Sequence, residues 1–419
     1  MNRSVLVMLV ALLAGCASNN NPDQLSSQAG TLIAGGKYKK SLKLYDAAIL
    51  QSDKDSALYA KRGTVKSLLM DYDGALNDLN RAIELRSDVG WYHSKRSMLL
   101  GELKQADAAI DSANKAVQLD PADEQTLAYR AKAYALNGQY EKALQDALQS
   151  AKHGGDLVYT YKVLATCYIH LGKPDEALDS IRKAITLNES DPTLICLKSE
   201  AEMQKLDLKQ AIKTAQTAQK KNPEAIEPYS CLARAYLLLG DNEKAKQNID
   251  IVSEKSPTDG QALLAVYYIS TRQAEKALET ASVVAKNHPS PDAQMTLAEA
   301  YTISGRGTEA LKIADTLSKE YPDLAAVHRT RALALIGLGK YDEAASAASE
   351  SIRILKYNPF AYRLRSEALA CNGDADGARR DRVESQKLGY LDSLPQEGML
   401  LTLKQQLAKE QTPVAAKPM

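Results

Sequence analysis

Small residues set the rhythm of this chain. From residue 22 they recur with a period of 34, and units aligned on them start at 22, 56, 90, 124, 158, 192, 226, 258, 291, 325 and 359. Position 8 is small in every unit, from Ala29 and Gly63 through Ser199 and Ala332 to Ser366. Position 20 is Ser41 in the first unit and Ala in the others, from Ala75 to Ala378. One small residue in each of two segments is what a pair of antiparallel helices needs for close backbone approach. Between the segments, position 15 holds Gly36, Gly138, Gly172, Gly240, Gly305, Gly339 and Gly373, where a turn can use a positive backbone angle. Pro121, Pro223, Pro257, Pro289 and Pro322 at position 32 end each second helix, because Pro cannot continue one. The pattern predicts eleven helix–turn–helix units over 22–392.

Two irregularities stand out. Units 3, 6 and 8 carry Lys104, Leu206 and Arg272 in place of the turn Gly, and unit 7 is 32 residues long, which marks a candidate kink near Pro257. Past the last unit, Ser393 and Gln396 read as a helix start, and Met399, Leu400, Leu403 and Leu407 share one helical face. A capping helix over 393–410 would cover the core that a terminal repeat otherwise exposes, with a disordered tail at 411–419.

Segments such as Tyr229-Ser230-Cys231-Leu232-Ala233-Arg234-Ala235-Tyr236 and Gly339-Lys340-Tyr341-Asp342-Glu343-Ala344 resemble the tetratricopeptide repeat (TPR) family. The resemblance implies an all-α, right-handed superhelical solenoid. It also implies that positions 2, 5, 9, 12 and 13 of each first helix line a concave surface that takes peptides or partner helices. Carried onto this chain, position 2 holds Trp91, Tyr159 and Phe360, which include the only Trp and the only Phe. Aromatics without a packing role are candidate anchors. Leu237, Leu238, Val266 and Ile269 form an expected apolar strip on that surface, beside Arg234. The other reading is that these residues pack against neighbouring units. Lys162 stands at position 5, but Thr166 and Leu197 fill places where the family's carboxylate clamp differs, Leu197 standing where it needs Asn, so a chaperone-tail receptor of that type is not expected.

The N-terminus carries a different signal. Arg3 is followed by an apolar run from Val5 to Leu13, too short to span a bilayer, and Leu13-Ala14-Gly15-Cys16 resembles the lipobox of bacterial lipoproteins. The resemblance implies a signal peptide at 1–15 and a covalent lipid on Cys16. Ala17 rather than Asp after the Cys implies sorting to the outer membrane, facing the periplasm. The tether at 16–21 would hold the folded part within roughly 20 Å of the bilayer. An ordinary signal peptide with a chance Cys is the second reading.

Composition removes other classes. With 53 Lys+Arg against 52 Asp+Glu there is no basic excess to offset phosphate repulsion, so nucleic acid is not an expected partner. The five His are isolated, with no zinc spacing. Ser112 with Lys115 and Ser180 with Lys183 match a Ser-x-x-Lys pattern, yet both sit at the same repeat positions and read as copies of the unit. Gly337-Leu338-Gly339-Lys340 lacks the rest of a phosphate loop. Cys196 and Cys231 lie in neighbouring first helices, where a disulfide is permitted, but small buried hydrophobes are the first reading. No catalytic residue, metal or cofactor is expected beyond the lipid. The function expected is a periplasmic scaffold binding envelope proteins, for assembly of a pilus, secretion or polysaccharide-export machine or docking of a hydrolase. The alternative is an envelope glycan-binding protein, argued from Trp91, Tyr159 and Phe360.

Overall fold

The computed structural model describes residues 21–154, 157–188 and 191–388. The signal segment, Cys16 with all but the last residue of its tether, the capping helix expected over 393–410 and the tail lie outside the described residues. Within them the chain forms 22 helices and no strand, arranged as eleven consecutive pairs from Pro22–Ala34 with Tyr38–Gln51 to Pro359–Cys371 with Ala375–Lys387. Each pair coincides with one repeat unit to within a residue. The fold class is that of an all-α TPR solenoid.

Two compact bodies divide the chain. One holds residues 21–136 and 145–154, the other 137–144 and everything described from 157 onward. The helix Tyr140–His153 thus gives its first residues to the second body and the rest to the first.

Within a pair, positions 8 and 20 meet where the helices cross. Ala residues at these places are fully buried, among them Ala29, Ala75, Ala131, Ala211, Ala265 and Ala344. Where a hydroxyl replaces a methyl, it bonds across the crossing in three of four cases, Ser97 being the exception. Ser41 Oγ donates to the Ala29 carbonyl at 2.9 Å, Ser199 to Ala211 at 2.9 Å, and Ser366 to Ala378 at 2.7 Å. A larger side chain at either place would push the backbones apart.

The turns also obey position rather than residue type. The seven turn glycines have φ between 64° and 85°. Met70, Lys104, Leu206 and Arg272 adopt φ of 55° to 61° at the same position, although each such residue costs about 1–2 kcal/mol in that region. The packed helix pair therefore dictates the turn. After it, Asp71, Asp207, Asp241 and Asp374 cap their second helices by accepting from a backbone N–H three residues on.

The short unit is absorbed at Pro257. There Pro257 does not close a second helix but opens the next first helix, Pro257–Ser270, while Ser256 ends Asn242–Lys255 and caps its successor. Gly260 makes the tight joint possible, since a Cβ there would lie 2.7 Å from Ser253 Cβ. Core packing runs on through it, with Ile249, Val252 and Leu263 in one cluster.

A polar seam links consecutive second helices. The Arg at position 7 of a first helix reaches position 23 of its own unit and position 25 of the unit before. Arg62 grips Asp78 with two bonds, at 2.8 and 2.6 Å, and Asp46 at 2.9 Å. Arg130 does the same with Asp146, at 2.6 and 2.9 Å, and Asn114; Arg365 with Asp381, at 2.6 and 2.7 Å, and Ser349. Arg96 uses Ser112 and Asn80. Units 5, 7, 8 and 9 place Leu164, Leu232, Leu264 and Leu297 at that position instead.

Candidate functional site

The second body gathers residues from widely separated units. His170, the last residue of the helix Leu157–His170, stacks on Tyr140 with ring centroids 4.2 Å apart and planes 6° from parallel. Its charged neighbours are Asp292 from unit 9, Glu200 from unit 6 and Arg234 from unit 7. Burial holds the imidazole below its usual pKa, with Asp292 and Glu200 opposing, so it is predominantly neutral at pH 7. Tyr140 is buried, and its hydroxyl is pushed well above the normal tyrosine range.

Several charge pairs lie in the same body. Arg234 pairs with Glu200, whose charge raises the guanidinium pKa further, and both side chains keep access to water. Arg329 reaches Glu299 at 3.5 Å, and burial raises the Glu299 pKa against the pull of that Arg. Lys162 pairs with Asp191 at 3.0 Å. Glu200, Arg234, Val266 and Glu299 are position 9 of units 6 to 9, a column in which one apolar side chain is flanked by charges.

Close contacts join distant units of this body. A Cβ at Gly138 would lie 3.1 Å from Pro291 Cγ and 3.3 Å from the Tyr321 ring. At Gly172 a Cβ would overlap the Leu355 side chain. Phe360 of unit 11 rests on Met203, Leu208, Ala211 and Ala235 of units 6 and 7, beside Ile212 and Leu238.

These contacts revise the expected anchors. Phe360 does have a packing role, as does Leu238 in the same cluster. Leu237 and Ile269 are core residues, 3% and 6% exposed, because the helix face bearing them turns toward its neighbours. Val266, at 37%, is the member of the expected strip open to solvent. Lys162 and Arg234 are paired with their acids. Tyr159 is half-buried in the second body. Trp91 belongs to the first body, 39% exposed and edge-on to Tyr92. The three position-2 aromatics are therefore not one cluster: Phe360 is committed to packing, and Trp91 lies in the other body. Sequence reasoning passed over Glu200, Glu299, Arg329, Asp292 and His170, although the alternation of sign down position 9 was there to be read.

Cys167, Cys196, Cys231 and Cys371 form no disulfide among the described residues, and Cys196 and Cys231 are buried side by side. The Cys231 thiol points to the Cys196 carbonyl oxygen at 3.8 Å, and Arg234 lies 3.9 Å from its sulfur. Ser112 is held by Arg96 and by the Ala108 carbonyl, and Ser180 by the Glu176 carbonyl, so both hydroxyls serve the repeat. Among the described residues, no group of three or more His, Cys, Asp or Glu is placed to hold a metal ion, and no helix is long and apolar enough to cross a membrane.

Known proteins share this construction. The family described as anaphase-promoting complex, cyclosome, subunit 3 matches residues 102–184, and the ChAPs (Chs5p-Arf1p-binding proteins) match 156–253. A crystal structure of the APC/C hetero-tetramer Cut9-Hcn1 superimposes with a TM-score of 0.59, covering 98% of this chain and 88% of that one at 12% identity. The chain is a TPR-type repeat protein. Among curated relatives, this TPR chain is 23% identical to DnaJ homolog subfamily C member 3 of Gallus gallus, over 94% of its own length and 73% of the relative's. It is 26% identical to Hsp70-Hsp90 organizing protein 1 of Glycine max, over 44% of its length and 39% of that protein's. TPR folds typically serve as non-enzymatic scaffolds that present a surface to protein partners.

Proposed function

We propose that this TPR protein is a non-catalytic scaffold held by a lipid on Cys16 at the outer membrane, facing the periplasm, where it binds a segment of an envelope protein. The observation that carries the binding part is the position-9 column of the second body. Val266 is open, with Arg234 and Glu200 on one side and Glu299 with Arg329 on the other. Such a wall suits an extended segment with an apolar side chain between charged ones, which can trade places in the existing ion pairs without stranding a charge. A purely apolar helix would strip water from those pairs and offer no bond in return. The lipobox at Leu13–Cys16 supports the anchor. Partners of this kind are components of pilus, secretion or polysaccharide-export machines, or periplasmic hydrolases needing a dock.

The test is a photo-cross-linking residue at position 266 in living cells, with Cys16→Ala examined in parallel. A discrete protein adduct at 266, and release of the Cys16→Ala chain from the membrane fraction, are the expected results. No protein adduct at 266 would overturn the binding surface, and unchanged membrane retention of Cys16→Ala would overturn the anchor.

A further inference from the structure

The polar seam has one incomplete rung. In units 2, 4 and 11 the Arg at position 7 is gripped by two bonds from an Asp at position 23 of its own unit, namely Asp78, Asp146 and Asp381. Unit 3 supplies Ser112 there. Unit 10 has an Arg at position 7, Arg331, but position 23 is Ala347, which has no side-chain acceptor. The guanidinium has turned to the preceding unit and donates through Nε to Asp315 at 2.6 Å. Its two terminal amino groups, which in the complete rungs are engaged, make no hydrogen bond among the described residues.

Where the missing carboxylate would stand, there is space. An open cleft of about 480 Å³ is lined by Arg331, Ala347, Asp315, Lys319, His328 and Glu350, among others. Its acids are already committed. Asp315 takes the Arg331 Nε, and Glu350 takes Arg353 through bonds of 2.6 to 3.0 Å. His328 donates from Nε2 to the Pro322 carbonyl at 2.8 Å. The exposed Lys319 has no ion-pair partner among the described residues. What remains unspent is cationic and planar: two parallel guanidinium donors with an ammonium group nearby. A carboxylate matches that fork in both shape and charge.

We propose that this cleft binds a carboxylate side chain, Asp or Glu, presented by a partner polypeptide, which takes the place that Asp78, Asp146 and Asp381 fill in the complete rungs. The site lies on the seam between second helices, not on the position-9 wall, and it does not depend on which partner occupies that wall. A single guanidinium–carboxylate bond reachable by water gives weak affinity alone, on the order of millimolar, so the site acts as a selective contact within a larger interface.

The test titrates the purified full chain with a glutamate residue blocked at both ends, against the equivalent blocked glutamine and sodium chloride of equal ionic strength. The readout is the Nε–Hε resonance of Arg331, assigned by its loss in Arg331→Lys. A saturable shift with the glutamate probe alone is expected. Ala347→Asp should rebuild the rung internally, raise the melting temperature and weaken the probe response about tenfold or more. Because Ala347→Asp is expected to fold more stably than the parent, loss of its response cannot be put down to misfolding. An equal shift with blocked glutamine or salt would overturn the proposal, and so would an undiminished response in Ala347→Asp.

Discussion

The two bodies are built from one repeat yet held in different ways. The first is stitched between neighbours by Arg62, Arg96 and Arg130, each bridging two second helices. The second replaces most of those rungs with Leu and adds contacts across many units, from Gly138 to Pro291, from Gly172 to Leu355 and from Phe360 to units 6 and 7. A solenoid with contacts only between adjacent repeats is nearly one-dimensional in its energetics. The second body is not. It spends part of its inner surface on itself, which is why Phe360 and Leu238, which a repeat pattern marks as ligand anchors, pack within it instead.

The comparison can be broken most sharply at two glycines. Gly36 and Gly172 have nearly the same positive φ, 69° and 64°, but a Cβ at Gly36 meets nothing within 4 Å while one at Gly172 overlaps Leu355. Gly36→Ala should cost about 1 kcal/mol for the backbone region alone. Gly172→Ala should cost about 3 kcal/mol, the excess being overpacking. Urea unfolding followed by circular dichroism measures both; equal losses would mean that the cross-unit contact is not holding the second body.

The aromatics give the next largest contrast. Phe360→Ala should destabilise by about 2 kcal/mol, below the cost of a fully buried Phe because the ring is only partly buried. Trp91→Ala, with its ring 39% exposed, should stay within about 0.5 kcal/mol. The reverse order in thermal unfolding would reverse the assignment of core and surface.

The seam of the first body is tested by Asp78→Ala. It removes two of the three bonds to Arg62, both partners being largely buried, and should cost about 2 kcal/mol. High salt should shrink that difference only a little, since little water reaches the pair.

How much of this was legible in advance depends on what each residue's surroundings are. The crossing at positions 8 and 20 and the seven turn glycines were readable because one local geometry repeats eleven times. Met70 was missed at its turn because its side chain argues against a positive φ that only the packed pair enforces. Pro257 was read as a helix end from its place in the unit, whereas the shortened linker makes it a helix start. Leu237 and Ile269 follow the other reading of the repeat, packing against neighbouring units, whereas Phe360 could not be placed in advance because a repeat pattern knows a residue's neighbours along the stack but not which distant unit folds back upon it.

Smaller effects refine the picture. The Ser97 hydroxyl is buried at a crossing without a partner among the described residues, unlike Ser41, Ser199 and Ser366. Ser97→Ala should therefore stabilise by about 0.5–1 kcal/mol while Ser41→Ala destabilises by a similar amount, which differential scanning calorimetry can resolve. Finally, burial lowers the pKa of His93 in the first body and His170 in the second below 6.5. Below that pH the unfolded chain takes up protons that the folded one refuses, so stability should fall as pH drops from neutral through 6.5 toward the lower folded values. His93→Gln or His170→Gln should each flatten that slope in a melting-temperature series.

The contacts at Gly138, Gly172 and Phe360 also have a mechanical meaning. A stack joined only through adjacent repeats stretches under load like a spring, each joint yielding a little. Pulled end to end, the second body must first part the wedge of Leu355 at Gly172 and withdraw the Phe360 ring from between units 6 and 7. It should resist as a latch does, stiff up to a threshold force and compliant once that is passed.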